Sequence, residues 1–261
     1  MDILEHLKTF GFAIEENVIT NDECNKMAKM LNEIEDEKKV KRTLVSTDSQ
    51  TVLLNVHLER PSIFLDKISI PKVMDTLSKV FNDEFILSNF NASKSGAKGG
   101  NRIHIDSRVP IRDFSSTLQI AALLCIDDFT EKNGATIVWP HSHNSGMDPR
   151  RFRDKFSSPG KIYASASKGS VIYTLGQTWH DVGPNIDGSR RWGIIAYYSR
   201  WWIKPTFDFT KCGPELYSKL STKQKVLFGF TSIPPTHQQN RAYTLISEKD
   251  LPSNYEDVFK I

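Results

Sequence analysis

Apolar residues along the chain follow two different periods. In the first third they recur at helical spacing. Asp2 to Thr9 reads as a short amphipathic helix, followed by Phe12-Ala13-Ile14 as a strand. A longer helix is predicted to begin near Thr20 or Asn21 as N-cap, with Glu23 in its first turn. Met27, Met30, Leu31 and Ile34 share one face of it, and Glu35 to Lys41 reads as a charged, solvated end. Pro71 is expected to open another helix through Val73, Leu77 and Val80. From about residue 84 the runs become short and β-rich: Glu84 to Asn91, Thr117 to Ile126, Ala135 to Trp139, Ser170 to Leu175 and Gly193 to Trp202. Turn clusters separate them, such as Lys98-Gly99-Gly100-Asn101, Lys132-Asn133-Gly134 and Asn185-Ile186-Asp187-Gly188. Pro214 to Leu220 and Thr222 to Leu227 turn helical again. The pattern predicts a mainly β, α+β protein: a β-sandwich or jelly roll with flanking helices. With no repeat or linker, one domain over 1–261 is expected. Its parts would be a helical buttress (1–83), a jelly-roll core (84–204) and a helical extension (205–261).

Two segments of the β region carry candidate chemistry. In Arg102-Ile103-His104-Ile105-Asp106-Ser107 an extended backbone sends His104 and Asp106 to one face and Ile103 and Ile105 to the other. A histidine and a carboxylate need one more histidine to make the facial triad that holds non-haem iron(II) with positions left open. On its own the pair is a weak signal, because a solvated strand end looks the same. The second segment, Trp179-His180-Asp181-Val182-Gly183-Pro184-Asn185, follows the apolar strand that ends at Leu175 and offers His180 as the distant third ligand. Arg191 stands at the mouth of the next strand. A planar guanidinium matches the far carboxylate of a keto acid with two charge-assisted hydrogen bonds. Taken alone, Arg190 and Arg191 read as a surface pair.

With these residues in place the sequence resembles the phytanoyl-CoA dioxygenase family. Gly11 to Ile19 is similar to that family's opening strand, and Gly96 followed by His104-Ile105-Asp106 to its iron-binding segment. Leu118 to Thr136 resembles the central strand and turn, continuing into Trp139-Pro140-His141-Ser142-His143, where His141 replaces a usual glycine. His180, Asn185 and Arg191 match the second histidine, the asparagine after it and the 2-oxoglutarate arginine, and Leu227-Phe228-Gly229-Phe230 resembles the C-terminal signature. The resemblance implies a double-stranded β-helix of cupin-like form, with Fe(II) held by His104, Asp106 and His180. It also implies that 2-oxoglutarate and O2 are consumed as co-substrates, giving succinate and CO2 while hydrogen leaves a substrate carbon. Related halogenases often lack the carboxylate, so Asp106 implies hydroxylation or desaturation of a small molecule.

Other residues carry weaker expectations. Gln119 and Asn91 are expected inside the barrel as contacts to 2-oxoglutarate or to an iron ligand, since buried amides need partners. Trp179 and His141 are expected to line the substrate pocket, and His143 a turn near it. Arg102, Arg108, Arg112, Arg150, Arg151 and Arg153 read first as solvated loop charge; Arg108 and Arg112 are candidates to grip an anionic substrate group. Specificity is expected in Ser107 to Ser116, His141 to Ser158 and the C-terminal helices. A desaturase or cyclase, a cupin-like metal protein and a silent binding module remain as alternatives.

Composition narrows the field. Net charge is +3 from 34 basic and 31 acidic residues, too balanced to argue for nucleic acid. Cys24, Cys125 and Cys212 are isolated and odd in number, fitting free thiols in a reducing compartment. No apolar stretch approaches the ~20 residues that cross a bilayer. The N-terminus lacks a signal-peptide pattern, so a cytoplasmic enzyme is expected. Oligomeric state is left open.

Overall fold

Asp2 opens the first helix, α1 (Ile3–Phe10), by accepting a hydrogen bond from Ile3 N; Gly11 closes it at φ 83°. Glycine is needed at that stop. A Cβ there would lie 2.5 Å from Thr178 Oγ1 and 2.6 Å from His143 Nδ1, so the helix end docks directly on the segments around the site. The computed structural model to which these elements belong describes residues 2–100, 103–151, 160–235 and 245–260. Strand β1 (Phe12–Glu15) follows, then α2 (Asn21–Val40). Thr20 is the N-cap of α2 and forms a reciprocal capping box with Glu23. The predicted solvated end of α2 needs one correction: Glu35 is only 6% exposed. Its carboxylate takes Lys94 Nζ at 2.6 Å and Lys39 Nζ at 3.1 Å, because the helix lies across the sheet and its seam meets a lysine there.

Two short strands, β2 (Val45–Ser46) and β3 (Gln50–Leu53), lead to α3 (Val56–Glu59), α4 (Pro61–Phe64) and α5 (Pro71–Phe81). The β-rich part supplies β4 (Phe85–Ser95), β5 (Gln119–Cys125), β6 (Thr136–Val138), β7 (Ile162–Ala164), β8 (Val171–Leu175), β9 (His180–Val182) and β10 (Trp192–Arg200). Helices α6 (Pro214–Lys219) and α7 (Thr222–Leu227) come last. Among the described residues no helix is long and apolar enough to cross a membrane.

Seven strands form an antiparallel sheet in the order β1-β8-β5-β10-β4-β3-β2, and β7-β6-β9 form a second, antiparallel one. Alternation along the strands sorts the packing. On β5, Ile120, Ala122 and Leu124 join Leu31, Leu77 and other helix residues in the larger core. Leu123 and Cys125 face the other way and pack with Phe129, Val138 and Ala164 of the second layer. Both faces of β5 are therefore covered, which is why its sequence reads as an almost unbroken apolar run. The result is the mainly antiparallel jelly roll with flanking helices that the pattern predicted. Strand β4 runs four residues further than expected; Ala92 to Ser95 look weak as a strand but are held on both sides, by β3 and β10.

Candidate active site

His104 and Asp106 reach the space between the sheets through an extended segment that adds to the edge of the small sheet. His104 N donates to His180 O and His180 N to His104 O, both at 3.1 Å. This isolated bridge fixes the two histidines side by side, ring centroids 4.2 Å apart. Ile105, on the opposite face, packs with Ile137, Trp139 and Trp179, and Ile103 packs against that cluster. The bracket is completed by a residue that the sequence placed only at the start of a specificity loop. Ser107, 2% exposed, directs its N–H (2.8 Å) and its hydroxyl (3.0 Å) to Gly176 O. Gly176 in turn sits too close for any side chain, since a Cβ would lie 2.8 Å from Gln119 O and 3.2 Å from Ser107 Cβ.

The three side chains converge. One ligand atom from each of His104, Asp106 and His180 lies within 4.8 Å of the others, a cluster that could hold a metal ion. Asp106 Oδ1 is 3.5 Å from His180 Nε2 and 3.8 Å from His104 Nε2, and Oδ2 has no hydrogen-bond partner among the described residues. His180 Nδ1 meets Thr178 O at 3.0 Å; a carbonyl can only accept, so Nδ1 carries a proton, and in the neutral ring Nε2 is left with its lone pair. Burial works to raise the Asp106 carboxyl, but the facing His180 and His104 outweigh it and hold it below the usual range. The same pairing lifts His180 above an ordinary histidine, against burial. Tyr197, whose hydroxyl faces Asp106, is pushed well above the usual phenol range by burial and by that carboxylate.

A cavity of about 250 Å3 adjoins the cluster, lined by His104, Asp106, His180 and Arg191 together with Thr174 and Tyr197. It is smaller than the ~300–1,000 Å3 of drug-sized sites, which suits a compact co-substrate. The two neighbouring arginines, just before β10, point to opposite sides. Arg190 turns out and clasps Asp127 with Nε at 3.0 Å and Nη2 at 2.7 Å. Arg191 turns in, 3% exposed, with its guanidinium 3.9 Å above the Phe129 ring. Burial lowers its pKa to about 10, which still leaves it charged at neutral pH. Among the described residues it makes no ion pair, and its Nε has no hydrogen-bond partner. A buried cation in that state is costly unless an anion reaches it.

The remaining predicted residues are distributed unevenly. Gln119 and Asn91 do face the interior, but they line a second cavity of about 1000 Å3 rather than the Arg191 chamber; the two cavities meet at Asp106 and Tyr197. Arg108 lines the larger cavity too. Arg112 lies instead against Gly146, where a Cβ would meet its Nε at 2.3 Å. His141 is exposed and packs its ring on Phe10, 5.0 Å between centroids. Trp179 turns away from the cavity because it alternates with His180; its Nε1 donates to Met147 O at 2.9 Å. His143 is buried, with Nε2 3.0 Å from Lys8 O. Arg150 is tied to Asp148, while Arg102 and Arg153 lie outside the described residues. Among the described residues the larger cavity is walled by 202–206 and not by the C-terminal helices. Thr174 and Tyr197 were missed because a threonine and a tyrosine inside apolar strands look like core.

Comparison with known proteins agrees with the fold. The sequence pattern of the family described as Phytanoyl-CoA dioxygenase (PhyH) matches residues 7–193. An uncharacterized protein of Mycobacterium tuberculosis is 22% identical over 247 residues, covering 88% of this chain and 86% of that protein. Among solved structures, HygX from Streptomyces hygroscopicus, with nickel and 2-oxoglutarate bound, is 14% identical with a TM-score of 0.62, over 78% of this chain and 88% of that one. The non-haem alpha-ketoglutarate-dependent epimerase SnoN from nogalamycin biosynthesis is 15% identical with a TM-score of 0.59, over 76% and 82%. At such identities these likenesses speak for the fold.

Proposed function

This chain belongs to the phytanoyl-CoA dioxygenase family, and from that premise we propose that it is an Fe(II)- and 2-oxoglutarate-dependent oxygenase hydroxylating a small molecule. The observation that carries the reading is Arg191, a buried and unpaired cation facing the chamber that His104, Asp106 and His180 also line. Two neutral imidazoles and one carboxylate form the donor set suited to Fe(II) with open positions. The orphaned Asp106 Oδ2 and His180 Nε2, which holds a lone pair in the neutral ring, fit a metal between them. Structures of likeness to this one hold Fe3+ or nickel together with the keto acid, which supports the same pair here.

In this reading Arg191 receives the far carboxylate of 2-oxoglutarate, and Phe129 beneath the guanidinium holds it in plane. Thr178 keeps His180 in the ligating tautomer. Tyr197 steadies the Asp106 carboxylate from the side of the larger cavity, where substrate enters. Bound iron supplies the oxidation itself, in which R–H, 2-oxoglutarate and O2 give R–OH, succinate and CO2. The enzyme's share is to hold the parts in register and keep the inner chamber closed to bulk water. Succinate release from protein reconstituted with Fe(II) tests the proposal: wild type turns over 2-oxoglutarate, and His104→Ala and Asp106→Ala do not. Retained release in either folded variant would contradict the assignment. Product analysis by mass then separates hydroxylation (a gain of one oxygen) from desaturation, cyclisation or an epimerisation like that of SnoN.

A further inference from the structure

The larger cavity has a chemical character of its own. The central strands β5, β10 and β4 change texture along their inner face. At one end β5 presents Leu123 and Cys125, packed in the apolar cluster around Phe129, with Leu123 also lining the Arg191 chamber. At the other they present Gln119, Ser199, Tyr197, Asn89 and Asn91, where Gln119 pairs in register with Ser199 and Tyr197 with Asn89. All five line the cavity. Two of these groups lack partners. Ser199 is 2% exposed, and neither its hydroxyl nor Asn89 Oδ1 has a hydrogen-bond partner among the described residues. Buried polar groups are ordinarily paired, so an array left open beside a candidate metal centre is built for a ligand's polar atoms.

The rim adds charge. Arg108, just after Asp106, and Lys204, beyond β10, both line the opening and make no ion pair among the described residues. Trp202, 55% exposed, adds a flat ring to the same lining. We propose that the substrate is a multiply hydroxylated small molecule bearing an acidic group, a carboxylate or a phosphate. Its hydroxyls would meet the Asn89, Ser199 and Gln119 array and its anion the Arg108–Lys204 rim. An acyl chain laid in the same cavity would leave those amides and hydroxyls unpaired and is rejected for that reason. This inference rests on the oxygenase reading for its chemistry but on the cavity alone for its ligand.

Two panels test it on the Fe(II)-reconstituted protein with 2-oxoglutarate present. One holds uronic acids, hexose phosphates and inositol phosphates; the other holds palmitate and palmitoyl-CoA. Binding is read anaerobically by calorimetry and turnover by succinate release. A member of the first panel is expected to bind and to stimulate succinate release, and carboxylate against phosphate members identify the anion. Ser199→Ala is expected to weaken its Kd at least tenfold. Gln119→Leu repeats the test at an intermediate-exposure position should the first variant fold poorly. Binding or stimulation by the acyl panel, or silence of the first panel in calorimetry, would overturn the proposal. Absence of succinate under every condition would count against the oxygenase reading instead, while the calorimetric comparison still decides the ligand class.

Discussion

Ser107 supplies none of the three converging ligand atoms, yet its N–H and hydroxyl both bond Gly176 O and tie down the end of the His104–Asp106 segment. Supports of that kind typically matter by ~10–100-fold in metal affinity. Ser107→Ala should therefore weaken Fe(II) binding about tenfold in a chelator competition, and an unchanged affinity would show that the backbone bond suffices. At Arg191 the loss is larger. Removing a desolvated, charge-assisted partner costs on the order of 3 kcal/mol, so Arg191→Leu should raise the KM for 2-oxoglutarate about 100-fold in uncoupled turnover. Equal KM values would remove the arginine from the co-substrate site. Of the adjacent pair Arg190-Arg191, sequence alone cannot say which faces in; the Asp127 clasp on Arg190 and the burial of Arg191 settle which side chain is solvated.

At the scale of elements, helix ends and strand seams show where sequence patterns are informative. The Thr20–Glu23 capping box was legible because it needs only local residues at fixed spacing. Thr20→Ala should cost about 1 kcal/mol in chemical denaturation. Glu35 was misread as solvated because its partner, Lys94, is 59 residues away on β4. Lys94→Met leaves that carboxylate buried without its closest cation and should cost about 3 kcal/mol, whereas Glu35→Leu with Lys94→Met should recover most of it. Matching losses in the single and double variants would mean that the pair contributes nothing beyond packing. The short strands β2, β7 and β9 span three residues or fewer, too short for any period to appear. The metal-ligand candidates were nonetheless readable, because a histidine two residues from a carboxylate keeps its geometry on any extended backbone.

Taken whole, the molecule is a two-layer β core whose helices cover the outer face of the large sheet and whose candidate site lies between the layers. Behind that sheet sits a group with no part in the site. His57 is fully buried among Phe90, Phe209 and Phe228, and neither ring nitrogen has a hydrogen-bond partner among the described residues. Burial pushes its pKa down from 6.5 to about 3. Between those values the unfolded chain binds a proton that the folded chain refuses. The stabilisation is complete above pH 6.5 and is lost as pH falls toward 3, by about 1.4 kcal/mol per pH unit. His57→Leu should flatten that part of the stability–pH curve, and an unaltered slope would place the acid sensitivity elsewhere. What was legible in the sequence here was the fold class and the ligand pattern; the division between two cavities was not. Gln119 and Asn91 were expected as contacts to 2-oxoglutarate or to an iron ligand; that they line the other cavity, with Asp106 and away from Arg191, depends on how three strands are registered.

The central claim, that His104, Asp106 and His180 bind Fe(II) while Arg191 binds 2-oxoglutarate beside it, is tested most directly by anaerobic titration of the metal-free protein with both. A visible metal-to-ligand charge-transfer band should grow to one equivalent of iron and be lost in His180→Ala, and in Arg191→Leu it should need far more keto acid. Iron that binds without the band, or a band unaffected by either substitution, would contradict the account.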